Sequence, residues 1–382
     1  MNKKIIIIGP AYPLRGGLSS FNERMARAFQ NENANSEIYS FSLQYPSFLF
    51  PGKTQYSNEP APKDIKIRVK INSINPLNWL KVGRELKNKK ADIIFVRYWL
   101  PFMGPCLGTI LRIVKRNHKT KIICIADNLI PHEKRIGDNL FTHYFIKPID
   151  AFVTMSAKVL KDIQQISSKP SIQLAHPLYD NFGDKTSKEE AAHFLKIDPT
   201  YSIVLFFGFI RKYKGLDLLF QAISILKKEK YFDNHSIKFL IAGEFYDNQD
   251  YYFNLIQELK IEDLLILRTE FISDSEVRYY MSVADCVIQP YKNATQSGVT
   301  PLAYHFEIPI IVTNVGGLPA LVPEQVGLVC EPTSDDIASK NKNIFQQQSW
   351  TIFRGHSRRK EKIQLAKICP SYCIFERINI ND

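Results

Sequence analysis

The stretch ADCVIQPYKNATQSGVTPLAYHFEIPIIVTNVGG, Ala284–Gly317, holds two short apolar runs, Asp285–Gln289 and Pro309–Thr313, on either side of a helix-length segment. Runs this short and this apolar are strands buried on both faces, and a helix between two of them makes a crossover in a parallel sheet. Between the first run and the helix comes a dense set of small polar residues, Asn293 to Gly298. At the carboxyl edge of a parallel sheet such a loop meets the unpaired N–H groups of the next helix, where α/β proteins hold ligands. The stretch therefore reads as a binding loop in an α/β fold.

Working outward, the same alternation of Ile-, Val- and Phe-rich runs with helix-period segments recurs. Lys4–Ile8, Glu37–Phe41, Ile93–Tyr98, Lys121–Ala126 and Ala151–Thr154 form one series; Ser202–Phe207, Ile237–Ala242, Leu264–Leu267 and the two runs above form a second. Pro177 and Gly183 punctuate the break between them, and Ser187-Lys-Glu-Glu opens a short helix just after it. Two Rossmann-like domains follow as the expectation, residues 1–180 and 181–340, with an atypical basic tail at 341–382 that lacks a clean apolar stripe. Leu43–Pro62, with Pro46, Pro51, Pro60 and Pro62 among aromatics, is a long irregular insertion.

At 382 residues and 45% hydrophobic content the chain can bury large cores, and its length favours two domains. Charge is uneven: residues 1–185 carry 28 Lys/Arg against 14 Asp/Glu, residues 186–339 carry 13 against 21, and residues 340–382 carry 9 against 3, or +14, −8 and +6. A basic first half suits an anionic partner, either a phosphate-bearing substrate or an anionic membrane surface. Nucleic acid fits poorly, because the basic residues are scattered and no zinc-ligand cysteine pair or aromatic RNP strand accompanies them. Six cysteines without ligand spacing read as free thiols of a reducing compartment. The run Ile5–Ile8 is too short for a signal segment, and no apolar stretch reaches membrane-spanning length. The expectation is a cytoplasmic protein, its membrane contact peripheral and on the inner face of the cytoplasmic membrane.

Four places carry groups suited to chemistry. After Ile5–Gly9 a turn at Gly16-Gly17 leads to Ser19 or Ser20 as helix cap, offering close backbone approach and N–H donors to an anion. Gly208 ends a buried strand, and Arg211 and Lys214 then stand before an amphipathic helix, an electropositive pocket for a diphosphate. Asp127, Asn128, His132 and Glu133 follow the strand Lys121–Ala126 at the carboxyl edge of the first sheet, where His132 can position a hydroxyl with Glu133 or Asp127 orienting it. The loop Thr295-Gln296-Ser297-Gly298 is the fourth.

Jointly, these pieces resemble the retaining glycosyltransferases of the GT4 family, which have the GT-B fold. Gly208-Phe-Ile-Arg-Lys-Tyr-Lys-Gly215-Leu-Asp is similar to that family's G-R-L-x-x-x-K-G-x-D, Pro309-Ile-Ile-Val-Thr-Asn-Val-Gly-Gly-Leu-Pro319 to its P-V-I-x-x-x-x-G-G-x-P, and Gly16-Gly17 to its amino-terminal glycine turn. Two departures stand out. Phe209 replaces the arginine that follows the glycine, with Arg211 two residues on, and the glutamates of the family's E-x7-E motif are replaced by Ala294 and Leu302.

The resemblance implies two Rossmann-like domains with parallel sheets facing across a cleft, the second binding a nucleotide-diphosphate sugar and the first presenting a saccharide or lipid-linked acceptor. It implies transfer with retention, in cell-surface polysaccharide biosynthesis, with Arg211, Lys214 and His132 catalytic and no cofactor or metal. Amide and hydroxyl groups of Thr295, Gln296 and Ser297, and the backbone at Gly298, then replace the carboxylates that hold donor hydroxyls. A silent GT-B binding subunit and a GT-B nucleotide-sugar epimerase are the alternatives.

Overall fold

The computed structural model describes residues 3–46, 50, 52–129, 137–174, 182–294 and 297–346. They fall into two compact units divided at residue 175, each with its own parallel sheet and core. The first sheet is formed by β1 (Lys4–Ile8), β2 (Asn35–Leu43), β3 (Lys66–Asn72), β4 (Ile93–Tyr98), β5 (Lys121–Ala126), β6 (Ala151–Thr154) and β7 (Ser171–Gln173), in the order 3-2-1-4-5-6-7. In the second, β8 (Ser202–Phe207), β9 (Ile237–Ala242), β10 (Leu265–Arg268), β11 (Cys286–Gln289), β12 (Ile310–Thr313) and β13 (Gly327–Cys330) run in the order 10-9-8-11-12-13. Every strand pair is parallel. Strand order reverses direction at β1/β4 and at β8/β11, the crevices where doubly wound sheets bind ligands.

Local chemistry explains the elements. Ile5 to Ile8 of β1 are buried on both faces, as a central parallel strand requires. The helix Gly17–Asn31 turns Phe21, Met25 and Phe29 inward at intervals of one turn. Ser187 caps the helix Lys188–Leu195, its Oγ accepting the Glu190 N–H at 3.1 Å, as the sequence pattern anticipates.

Three strands escape the sequence reading, and all lie toward sheet edges. β3 (KIRVKIN) alternates polar and apolar residues because one face meets solvent, while β7 and β13 are too short to form an apolar run. Within the predicted irregular insertion the described residues are fastened to the loop after β1: Leu14 and Tyr56 form an antiparallel bridge, and the Ser57 N–H donates to the Pro13 carbonyl at 2.8 Å. At the other end, the helix Ser334–Gln346 runs through residue 341, where the sequence places the start of the tail; Asn341 is buried in it. No helix among the described residues is long and apolar enough to cross a membrane.

Candidate functional site

In the second unit the chain leaves β8 through Gly208, whose φ of +97° is open to glycine and costly to other residues. It then makes a 3-10 turn, Lys212–Lys214, and enters the helix Leu216–Lys228 through Gly215 at φ +66°. Lys214 folds back over the strand end. A Cβ on Gly208 would stand 3.2 Å from its Nζ, and the ammonium lies 5.6 Å from the centre of the Tyr291 ring. Burial, and after it the charge of Arg211, lowers the Lys214 pKa to about 7. Arg211 places its guanidinium 5.1 Å from the centre of the Tyr246 ring. Among the described residues no carboxylate is paired with either cation. Two basic groups thus stand at the carboxyl end of a central strand with no counter-ion among the described residues, an arrangement that an anion completes.

The loop after β11 is held against this turn. The Lys292 and Asn293 N–H groups both donate to the Tyr213 carbonyl, at 2.7 and 3.4 Å, and Lys292 Nζ donates to Asp217 Oδ2 at 2.5 Å. A Cβ on Gly215 would fall 1.9 Å from the Pro290 carbonyl oxygen, so only glycine allows the turn and the loop to touch. Thr313 at the end of β12 donates to the Tyr291 carbonyl at 2.6 Å, and Thr300 donates to Gln289 Oε1 at 3.2 Å. Ser297 is buried, its Oγ accepting the Val299 N–H at 3.2 Å and lying 3.4 Å from the Tyr291 hydroxyl. Gly298 has φ −69°, an ordinary value, so no left-handed geometry requires glycine there. Thr295 and Gln296 lie outside the described residues.

Both departures from the family pattern have packed surroundings. Phe209 stacks on Tyr246 with ring centres 4.2 Å apart and sits 6.3 Å from Phe271, so Phe209 and the Arg211 guanidinium are gathered at the same tyrosine. Ala294 and Leu302 are both buried.

In the first unit Gly16, at φ +98°, caps the helix Gly17–Asn31, and Ser19 and Ser20 lie inside the helix rather than at its cap. Ser20 donates back to the Gly16 carbonyl at 3.4 Å, and the buried Ser19 Oγ has no hydrogen-bond partner among the described residues. Both oxygens of Asp127 accept bonds from Arg97 of β4, each at 2.5 Å. Arg97 is buried, with its guanidinium 4.1 Å from the centre of the Phe21 ring. Asn128 follows, half-buried, and His132 and Glu133 lie outside the described residues.

The sequence reading passed over Tyr291, Tyr246, Lys292 and Arg97. One signal was present for Arg97, a single cation inside the apolar strand IIFVRY, since a buried charge demands a partner.

Residues 187–360 match the family described as Glycosyl transferases group 1. No curated protein matches the sequence. Among solved structures the chain is similar to a sucrose-phosphate synthase from Thermosynechococcus elongatus, at 15% identity over 91% of each chain with a TM-score of 0.69. It is also similar to a glycosyltransferase from Rickettsia africae, at 16% identity over 96% of this chain and 99% of that one with a TM-score of 0.67. Anabaena HepE, solved in complex with UDP and glucose, aligns at 14% identity over 92% of each chain with a TM-score of 0.67. These neighbours show the fold, which is GT-B.

Proposed function

From a chain whose second unit carries a group 1 glycosyltransferase domain on a GT-B fold, we propose that the protein transfers a sugar from a nucleotide-diphosphate sugar to a saccharide or lipid-linked acceptor, with retention, in the building of a cell-surface glycan. The observation that carries the reading is Lys214, its Nζ beside the glycine that ends β8, with Arg211 near enough to depress its pKa and no carboxylate paired with either among the described residues. A diphosphate brings the missing negative charge. As the sugar leaves, charge accumulates on that diphosphate, and fixed cations stabilise it more in the transition state than in the ground state. Lys214, with a pKa near 7, takes up a proton as phosphate arrives. Ser297 and the neighbouring Thr295 and Gln296 are the proposed contacts to donor hydroxyls. His132 is the proposed acceptor-side group, and no metal or cofactor enters the scheme.

One observation favours a second reading, a binding subunit without turnover. Ala294 and Leu302 stand buried where the resembled family has glutamates, so no carboxylate is offered to the sugar from those positions. A mixed panel of nucleotide sugars, followed for release of free nucleotide diphosphate with and without cell extract as acceptor source, separates the two. Acceptor-dependent release supports transfer. Nucleotide binding without release under any condition leaves the binding subunit, and acceptor-independent conversion of the sugar would point to an epimerase.

A further inference from the structure

The helix Pro76–Lys89 of the first unit has two sides of opposite character. Val82 and Leu86 are buried in the core, and Trp79 packs against it. At about 100° per residue Leu77, Leu80, Lys81, Arg84 and Lys87 fall on the other side. Leu77 is 77% exposed and Leu80 36%, and Ile74, just ahead of the helix, is 50% exposed. One exposed leucine on a protein surface needs no explanation. Here three large aliphatic side chains gather at one end of a single helix, and three cations continue the same face. Among the described residues no carboxylate is paired with Lys81, Arg84 or Lys87. Glu85, the helix's one acidic residue, is held off this face: its oxygens accept from Lys70 Nζ at 2.8 and 2.7 Å and from the Tyr39 hydroxyl at 2.7 Å.

We propose that this face docks the protein on an anionic lipid bilayer, Leu77 and Leu80 entering the acyl boundary and Lys81, Arg84 and Lys87 lying at the level of the lipid phosphates. Charge complementarity selects the occupant. A bilayer offers negative charge everywhere beside an apolar layer, matching an apolar tip continued by cations with no acidic group between them. The net +14 of residues 1–185 adds a long-range attraction of the same sign. The inference does not depend on the donor chemistry.

The full-length protein is sedimented with vesicles of phosphatidylcholine alone and with vesicles containing phosphatidylglycerol, at low ionic strength and in about 0.5 M salt, where screening acts within a few ångströms. The expected result is binding to the anionic vesicles that falls at least tenfold in high salt or without phosphatidylglycerol. Lys81→Ala/Arg84→Ala should lower partitioning about fivefold for each charge removed, and Leu77→Asp/Leu80→Asp at least tenfold. Tyr251→Asp, an exposed aromatic on the second unit, should bind as wild type. Circular dichroism and melting verify the fold of each variant, and Leu77→Ser/Leu80→Ser repeats the test should the aspartates disturb the helix. Failure of the wild type to bind anionic vesicles would overturn the proposal, as would helix variants in their native fold that bind like wild type.

Discussion

Lys214 is the residue whose charge depends on what occupies the site. Burial and Arg211 hold its pKa near 7, so in the empty protein about half of it is neutral at that pH. A bound diphosphate favours the ammonium and raises the pKa, which couples binding to proton uptake. Nucleotide diphosphate affinity should therefore fall as pH rises above 7, by up to about tenfold per unit, in a range where the phosphate itself, with a pKa of about 6, no longer titrates. Calorimetry in buffers of different ionisation enthalpy should register close to one proton taken up near pH 8; Lys214→Arg should remove the slope, and a flat wild-type profile would sink the assignment. Stability of the empty protein has the opposite sense: with a folded pKa below the unfolded one, the unfolded chain binds more protons between them, and stability rises with pH above 7. Arg211→Ala should weaken binding by about 1.5–3 kcal/mol, one charge-assisted contact, and should reduce the proton uptake near pH 8, because Arg211 helps to depress the Lys214 pKa in the empty site. Lys214 and Arg211 were legible in the sequence because both precede a glycine-opened helix after an apolar strand. Tyr291 was not, since its burial and its place beside Lys214 depend on residues from other elements, Thr313 of β12 and Lys214 itself among them.

Among the elements, the turn after β8 and the loop after β11 act as one piece. The Tyr213 carbonyl, the Asp217–Lys292 ion pair and the contact at Gly215 join them, so the cations and the Tyr291–Ser297 wall keep a common geometry. Gly215→Ala should be severe, because its Cβ has no room beside the Pro290 carbonyl and its φ is positive. Loss of about 3 kcal/mol or more and of nucleotide binding is the expected outcome, read by denaturant titration and calorimetry. Gly208→Ala makes the contrast. Its Cβ meets the Lys214 ammonium at 3.2 Å and Val299 only at an ordinary 4.0 Å, with no backbone in the way, so the fold should lose about 1–2 kcal/mol from backbone strain while binding suffers from the displaced ammonium. A Gly215→Ala protein as stable and as tight-binding as wild type would show that turn and loop are independent. Most strands were legible for a simple reason: a parallel strand buried on both faces is an almost continuous apolar run, as β1, β5 and β8 are, and as β4 and β9 are but for one cation each. At the edges this signature fades, so the alternating β3 and the three- and four-residue β7 and β13 become visible only through their pairing partners.

At the scale of the whole molecule, each unit has its own sheet and its own core, and the ionic contacts described here stay within one unit. The repetition of strand–helix alternation on either side of residue 180 made two units legible, but their ion pairs were not, since Arg97 and Asp127 are thirty residues apart in chain and adjacent only in the sheet. Arg97–Asp127 sets a buried guanidinium of the first unit against a half-buried carboxylate, and Asp127→Ala would leave the guanidinium buried, charged and without its carboxylate. Breaking such a pair costs about 3–5 kcal/mol, which for a unit of this size corresponds to a fall of roughly 6–20 °C in its melting temperature. The second unit, with its own sheet and core, should keep its own melting temperature. Differential scanning calorimetry of Asp127→Ala should then show two transitions with one displaced downward, and below the lower one the affinity for nucleotide diphosphate should match wild type. Arg97→Met/Asp127→Leu removes both charges and should recover much of the loss, because the cost lies in the orphaned ion rather than in the absence of the pair. A single transition shifted as a whole, or a nucleotide affinity that falls with Asp127 at temperatures where both units are folded, would mean that the two cores are not energetically separate and that the first unit reaches into diphosphate binding.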